Sequence, residues 1–268
     1  MKDENRATHE STEHRGIDKE RRALIGAAAG VGAAMVAPGV VLHAVQAQAD
    51  PRSEPVTSDV RWGLVIDTAK CADGCSACVD ACNEENGLDL QTKPGRESEE
   101  KWDRQKAVWI RKVKLQDNQT GRITNLPMMC QHCEDPPCVD VCPTGASFKR
   151  ADGIVMVDRH LCIGCRYCMM ACPYKARSFI HEDLEGQLTS VPRGKGCVES
   201  CNLCAHRRDY GEDSTACADA CAAEGHNAIV FGDLKDPNSI ISQLLKELST
   251  RQIREDLELN TGVRYAGV

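Results

Sequence analysis

The sequence predicts an α+β chain whose short strands and short helices are organised by cysteine rather than by a large apolar core. Seventeen cysteines occur in 268 residues, nearly all of them in tight groups. Only 4% of the residues are aromatic, thin material for an ordinary core at this length. A short β-rich run ending in Asp also recurs. Trp62-Gly63-Leu64-Val65-Ile66-Asp67 leads to Cys71, and Gly153-Ile154-Val155-Met156-Val157-Asp158 leads to Cys162. Each Asp stands four residues before the first cysteine of a group, which predicts a duplicated unit with a period of about 91 residues.

The N-terminus reads as an address. Residues 1–22 mix acidic and basic side chains and end in Lys19-Glu20-Arg21-Arg22. A weakly apolar run of Ala, Gly and Val follows from Ala23 to Leu42, and Ala47-Gln48-Ala49 before Asp50 is an A-x-A cleavage pattern. A general secretory signal has a positive start and a Leu-rich run. The paired arginines followed by Leu24 and Ile25 read instead as a twin-arginine signal. The competing reading is an uncleaved anchor, since the run is long enough to span a bilayer. Its glycines and Pro38 make it a poor helix that partitions weakly. The expectation is a signal peptide over 1–49 and a polar, proline-containing linker over 50–60. The mature chain is then periplasmic, exported folded, and peripheral to the cytoplasmic membrane.

Beyond the two lead-ins, Ala107 to Val113 reads as a strand and Asp117-Asn118-Gln119-Thr120-Gly121 as its turn. Stretches at Ala146–Phe148, Arg177–Ile180 and Ala228–Phe231 each follow a cysteine group and read as return strands. Leu88 to Lys106 is polar, lacks either hydrophobic period, and is expected to be an inserted surface loop. Ser239 is placed to cap a helix carrying Ile240, Ile241, Leu244, Leu245 and Leu248 on one face. The expected organisation is a cysteine-rich domain over 61–237, then a C-terminal helix and an unassigned tail over 238–268. The formal charge is −7 with both signs interspersed and no basic block, which argues against a nucleic-acid partner.

The cysteine groups carry the chemistry. The first is Cys71, Cys75, Cys78 and Cys82; the second is Cys130, Cys133, Cys138 and Cys142, followed by Pro143. The third is Cys162, Cys165, Cys168 and Cys172, followed by Pro173; the fourth is Cys197, Cys201, Cys204, Cys217 and Cys221. Group three is the bacterial ferredoxin run C-x2-C-x2-C-x3-C-P. Its three close cysteines wrap one cluster and its fourth reaches a neighbouring one, so two runs exchange their last cysteines. Structural zinc uses two separated pairs of ligands and needs neither a third close cysteine nor the Cys-Pro ending. Disulfides need no such regularity. Group four has one cysteine more than a set requires; either Cys197 or Cys201 can open it, and the x2 spacing to Cys204 favours Cys201.

Cys130-Gln131-His132-Cys133-Glu134-Asp135-Pro136-Pro137-Cys138 with Val141-Cys142-Pro143-Thr144-Gly145-Ala146 is one specific motif. Cys162-Ile163-Gly164-Cys165-Arg166-Tyr167-Cys168 with Ala171-Cys172-Pro173-Tyr174-Lys175-Ala176-Arg177 is another. Together they resemble the four-cluster ferredoxin-like subunits of membrane-associated oxidoreductases, the dimethyl sulfoxide and polysulfide reductase type, over roughly residues 60–237. Gly194-Lys195-Gly196-Cys197-Val198-Glu199-Ser200-Cys201, the ending Asn260-Thr261-Gly262-Val263-Arg264-Tyr265 and the leader resemble more narrowly the periplasmic iron–sulfur subunits of Dsr-type sulfur-metabolism complexes. The resemblance implies duplicated bacterial-ferredoxin-like domains with short β-hairpins, short helices and long inserted loops around four [4Fe–4S] clusters. It also implies four ligand sets. One is Cys71, Cys75, Cys78 and Cys221, and its neighbour is Cys201, Cys204, Cys217 and Cys82. The third is Cys130, Cys133, Cys138 and Cys172, and the fourth Cys162, Cys165, Cys168 and Cys142. The implied partners are an integral NrfD-type quinone-interacting subunit and a periplasmic multihaem cytochrome c. The alternative is service to a molybdopterin oxidoreductase of the dimethyl sulfoxide, polysulfide or tetrathionate reductase type. Cys197 and Ala222, which stands where the pattern has proline after the last cysteine, depart from the family.

These readings point to electron transfer and away from catalysis. With a cysteine on every iron, no open Lewis-acid position remains for a small-molecule substrate. His132, Met169 and Met170 are expected to pack around clusters, and Asp67 and Asp158 to cap the loops that follow them.

Overall fold

A computed structural model describes residues 55–90 and 99–268. The expected signal peptide and the first part of the linker lie outside the described residues. Among the described residues, no helix is long and apolar enough to cross a membrane.

The recurring lead-in forms β1 (Trp62–Asp67), whose central residues are all buried. After it come α1 (Ala77–Glu85), a 3-10 turn at Leu88–Leu90, and α2 (Glu99–Gln105). Next are β2 (Arg111–Gln116), β3 (Ile123–Met128), α3 (Pro137–Asp140), β4 (Ser147–Lys149), β5 (Val155–Val157) and α4 (Tyr167–Ala171). The chain continues through β6 (Ser178–Phe179), β7 (Val198–Glu199), α5 (Ala205–Asp209), α6 (Ala216–Ala223), β8 (Ile229–Asp233) and α7 (Ile240–Glu247). It ends with β9 (Thr250–Arg251), a 3-10 turn at Glu255–Leu257 and β10 (Val263–Ala266). This mixture of small helices and small sheets is an α+β arrangement.

The largest sheet has the order β8-β1-β10-β9. β8 lies antiparallel to β1 with Leu64 opposite Phe231 and Ile66 opposite Ile229. On the other edge β10 runs parallel to β1, pairing Leu64 with Val263 and Ile66 with Tyr265. Flanked on both sides, β1 has no room for a side chain at Gly63, where a Cβ would lie 2.3 Å from the Gly262 carbonyl oxygen. Three antiparallel two-stranded ladders, β2–β3, β4–β5 and β6–β7, complete the strand pairing among the described residues.

The Asp residues close the turns that enter the cysteine loops. Asp67 Oδ1 accepts from the Ala69 amide at 3.1 Å, and Asp158 Oδ1 accepts from the His160 amide at 2.8 Å. Asp117 does the same at the β2–β3 turn, accepting from Gln119 and Thr120.

The structure corrects four expectations. The strand expected from Ala107 begins only at Arg111, because Val108 instead exchanges both backbone groups with the Ser178 hydroxyl. The loop expected over Leu88 to Lys106 contains α2, built almost wholly of good helix formers with no apolar stripe to announce it. Ser239 caps α7 through Ser242 as expected, but Ile240 is exposed while Ile241 is buried. Met170 is 74% exposed, since on α4 it lies two positions from the inward-facing Cys168. Met169 does pack against the core.

Candidate functional site: four cysteine-lined cavities

Cysteine is a large minority of the buried core. Ten of the seventeen are buried, and all of these but Cys204 join Leu64, Ile66, Trp109, Ile110 and Ile154 in one continuous cluster. Four cavities open within it, each lined by four cysteines.

Cavity A is lined by Cys71, Cys75 and Cys78, with Cys221 from α6. Cavity B collects Cys201, Cys204 and Cys217, with Cys82 from α1. Cavity C has Cys130, Cys133 and Cys138, with Cys172 from the end of α4. Cavity D has Cys162, Cys165 and Cys168, with Cys142 from the chain after α3. Each cavity thus takes three cysteines from one group and one from another, and the four sets coincide with those that the family pattern implies. Cys197 lines none of the four. Its Sγ donates to the Arg159 carbonyl at 3.3 Å, whereas Cys201 lines cavity B.

Local geometry explains the exchange. Cys78 and Cys82 are i and i+4 on α1, and Cys217 and Cys221 are i and i+4 on α6. Such residues share one helix face, separated along it by one turn, a rise of about 6 Å. The two helices pack on each other, so each presents one sulfur to A and the next to B. Cys138 with Cys142, and Cys168 with Cys172, repeat the i, i+4 spacing through shorter helices. Gly164 lets the third loop close tightly: its φ is +70°, and a Cβ there would lie 2.3 Å from the Gly196 carbonyl oxygen.

Donors aim at the crossing sulfurs. The Ser147 amide lies 3.3 Å from Cys142 Sγ, Ala176 3.5 Å from Cys172 Sγ, and Ala228 3.2 Å from Cys221 Sγ. Asn86 Nδ2 lies 3.6 Å from Cys82 Sγ. The Arg177 guanidinium donates to Cys138 Sγ at 3.0 Å. As free thiols these groups are hard to ionise: burial pushes Cys130, Cys133 and Cys217 up to about 12. Burial also raises the partly covered Cys142, but hydrogen bonds from Ser147, Thr144 and Ala146 outweigh it and leave that thiol below its usual value. Buried thiols of this kind become thiolates only when a metal centre supplies the countercharge.

This donor set fits iron–sulfur clusters. Four sulfurs converge on each cavity with no carboxylate among its lining residues, and N–H donors point at sulfur. Among the described residues, no three His, Cys, Asp or Glu side chains converge as a single-ion site would require.

His132 stays out of the sulfur sets. It is buried at φ +44°, and its Nδ1 accepts from the Val155 amide at 3.0 Å, so the proton sits on Nε2. Burial, reinforced by nearby Arg177, drives its pKa down to about 3, and the ring is neutral. The cavities form a series. Shared helices join A to B and C to D, and B and C meet in the core, where Cys201 and Cys130 belong to one continuous buried cluster. Tyr265 is fully buried at this joint. It accepts from Gln131 Nε2 at 3.0 Å and donates to the Pro127 carbonyl at 3.1 Å. Sequence reasoning missed this residue's structural role, since no local period marks its strand.

Comparison with known proteins agrees with the cavities. Two family models described as 4Fe-4S dicluster domain match the chain, over residues 70–146 and 122–233. The chain is similar to the Hdr-like menaquinol oxidoreductase iron-sulfur subunit 1 of Archaeoglobus fulgidus, 41% identical over 80% of this chain and 86% of that protein. It is similar to Protein NrfC of Escherichia coli, 40% identical over 71% and 74%. It is also similar to a tetrathionate reductase subunit of Salmonella typhimurium, 35% identical over 70% of this chain and 64% of that protein. Two dicluster domains and seventeen cysteines in ferredoxin-like motifs provide for four [4Fe–4S] clusters.

Proposed function

For a chain that belongs to the 4Fe–4S dicluster family of iron–sulfur electron-transfer subunits in membrane-associated oxidoreductase complexes, we propose the role of DsrO. In that role it relays electrons between an integral NrfD-type quinone-interacting subunit and a periplasmic multihaem cytochrome c of a Dsr-type sulfur-metabolism complex. The observation that carries the relay is the series of four cavities, each with a complete set of four cysteines. Support for a quinone-linked partner comes from the relative named as a menaquinol oxidoreductase iron-sulfur subunit.

The ligand sets are those that line the cavities: Cys71, Cys75, Cys78 and Cys221; Cys82, Cys201, Cys204 and Cys217; Cys130, Cys133, Cys138 and Cys172; Cys142, Cys162, Cys165 and Cys168. A bound cluster takes up and releases one electron at a time. The chain's part is to hold the sets within each pair, A with B and C with D, one helical turn apart, to exclude water with Trp109, Ile110, Val155 and Tyr174, and to direct N–H donors at the sulfurs. We further propose a duplicated ferredoxin-like domain over 61–237, with 1–49 as a cleaved twin-arginine signal, 50–60 as linker and 238–268 as helix and tail. Export folded fits the chemistry, because clusters must be inserted before the chain crosses the membrane.

The second reading is the electron-transfer subunit of a molybdopterin oxidoreductase. It is favoured by the similarity to a tetrathionate reductase subunit. Purification of the tagged chain with its native partners separates the two. The Dsr-type reading expects about sixteen irons per chain, haem c, a polytopic membrane subunit and reduction of the clusters by a menaquinol analogue. Stoichiometric molybdenum in place of haem would establish the second reading and overturn the first.

A further inference from the structure

Arg177 is a charge without a conventional partner. The residue is only 5% exposed, and among the described residues no salt bridge joins it to a carboxylate. Its Nη2 donates to Cys138 Sγ at 3.0 Å and to the Ser147 hydroxyl at 2.8 Å. Its Nη1 is buried and meets no acceptor in the protein. The side chain lines cavity C. Ser147, which accepts from the same Nη2, also lines cavity D, so the guanidinium sits between C and D, and against the opposing effect of burial Cys138, Cys130 and Cys168 raise its pKa. A buried guanidinium left in this state is costly unless an anion lies against it. With a cluster bound, the Cys138 thiolate would be that anion.

Among the described residues, no other cavity has a fully buried charge of this kind. Cavity B is lined by neutral side chains, Asn86, Asn202 and Thr215 among its polar ones. Lys112 at cavity A opposes the burial that raises the Cys71 thiol. It is only half-buried, however, and spends its ammonium on the backbone carbonyls of Ala72 and Cys75. Arg166 at cavity D is exposed to solvent, which screens it.

We propose that Arg177 is the built-in counter-ion of the cluster held by Cys130, Cys133, Cys138 and Cys172, and that it raises the reduction potential of that cluster. Reduction adds one negative charge to the centre and moves no proton. A fixed positive charge at hydrogen-bond distance from a ligand sulfur therefore favours the reduced form, as net charge and hydrogen bonds to sulfur do in such centres generally. The centre so tuned lies inside the series, at the joint with cavity B, where it holds an arriving electron away from solvent. This inference rests on the ligand sets proposed above.

The test is a redox titration followed by electron paramagnetic resonance on the purified four-cluster protein, comparing wild type with Arg177→Gln, Arg177→Lys and Ser147→Ala. Four titrating centres in the wild type and about sixteen irons check the ligand sets independently of Arg177. In Arg177→Gln the reduction equilibrium of one centre should fall about tenfold, about 59 mV for a one-electron couple. A second centre should fall less, and two should stay unchanged. Arg177→Lys keeps the charge and should recover most of the shift, and Ser147→Ala should give a smaller fall at the same centre. Unchanged potentials in a fully loaded Arg177→Gln protein would overturn the proposal. So would an equal shift in Arg177→Lys, or loss of the cluster from both Arg177 variants with no shift in Ser147→Ala, since each would make the residue structural only.

Discussion

Replacing Glu199 removes the acceptor of a buried clamp and should loosen the whole protein. Glu199 on β7 and Arg193 form an ion pair whose side chains are 3% and 2% exposed. Arg193 donates Nε to Oε2 at 2.9 Å and Nη2 to Oε1 at 2.6 Å, while its Nη1 reaches the Gly87 carbonyl at 2.7 Å. Trp109 Nε1 donates to the same Oε1 at 3.0 Å, and the Trp109 ring lines cavity B. The carboxylate therefore ties together the chain after α1, the chain before β2, and β7. Nearby Arg159, held below its usual pKa by burial and further by Arg193, is also partly offset by Glu199. Glu199→Ala strands a buried guanidinium and an indole N–H together, and breaking such a pair costs about 3–5 kcal/mol. Unfolding of a cluster protein is expected to be irreversible, so the cost is best read as a rate. Loss of visible cluster absorbance in denaturant should accelerate by about a hundredfold to a few thousandfold if the pair is broken in the transition state. The double variant Arg193→Met, Glu199→Leu removes both charges and should recover more than half of that change. A Glu199→Ala protein that decays within about threefold of wild type, or a double variant that decays faster than the single, would refute this account of the clamp.

Three further outcomes follow from the same geometry. Cys82→Ala should damage the cluster of cavity B, with Cys201, Cys204 and Cys217, and spare that of cavity A; Cys142→Ala should likewise damage cavity D. Cluster-by-cluster spectra of variants that still accumulate check this, and loss confined to the Cys71, Cys75 and Cys78 centre in Cys82→Ala would sink the exchange. Replacing Arg21 and Arg22 with Lys should leave the loaded protein in the cytoplasm, and fractionation showing unchanged export would remove the twin-arginine assignment. Glu85, linking α1 to Arg207 and His206 on α5, has its pKa lowered chiefly by the Arg207 hydrogen bond against the opposing effect of burial. A depressed folded pKa gives stability that is present above the unfolded value of about 4.3 and lost as pH falls through the folded one. Cluster retention in Glu85→Gln should therefore be less acid-dependent than in wild type, and parallel acid profiles would contradict it.

What could be read in advance was local. Ligand spacing along the chain, the Asp-closed turns before Cys71 and Cys162, and the Ser239 cap each depend on residues within a few positions of one another. The return strands β4, β6 and β8 were legible for the same reason, since each lies a few residues beyond a cysteine group. The β10 strand was not. Its four residues are too few to show a period, and its partner β1 lies about 200 residues earlier, in parallel. α2 was hidden because it is short, polar and only partly packed. The Arg193–Glu199 clamp was equally silent: a buried ion pair leaves no mark in composition that separates it from the surface charges around it.

The tail that sequence reasoning left unassigned bears on the relay itself. Within each pair of cavities, a shared helix sets the separation, because residues i and i+4 serve adjacent sets. No helix among the described residues is shared between B and C. There the chain relies on its last residues. Gly262 donates to the Gln131 and His132 carbonyls, and the Glu134 amide donates to Leu259 and Asn260. Three residues later Tyr265 is seated on β1 and holds Gln131, the neighbour of Cys130. One short segment therefore fastens the loop of the second cysteine group to the sheet that carries the first. The order A, B, C, D is fixed by two different devices, helical pitch inside each pair and the C-terminal strand between them. Electron transfer through a series depends on every gap in it, so the strand that fastens this joint bears on conduction as well as on folding.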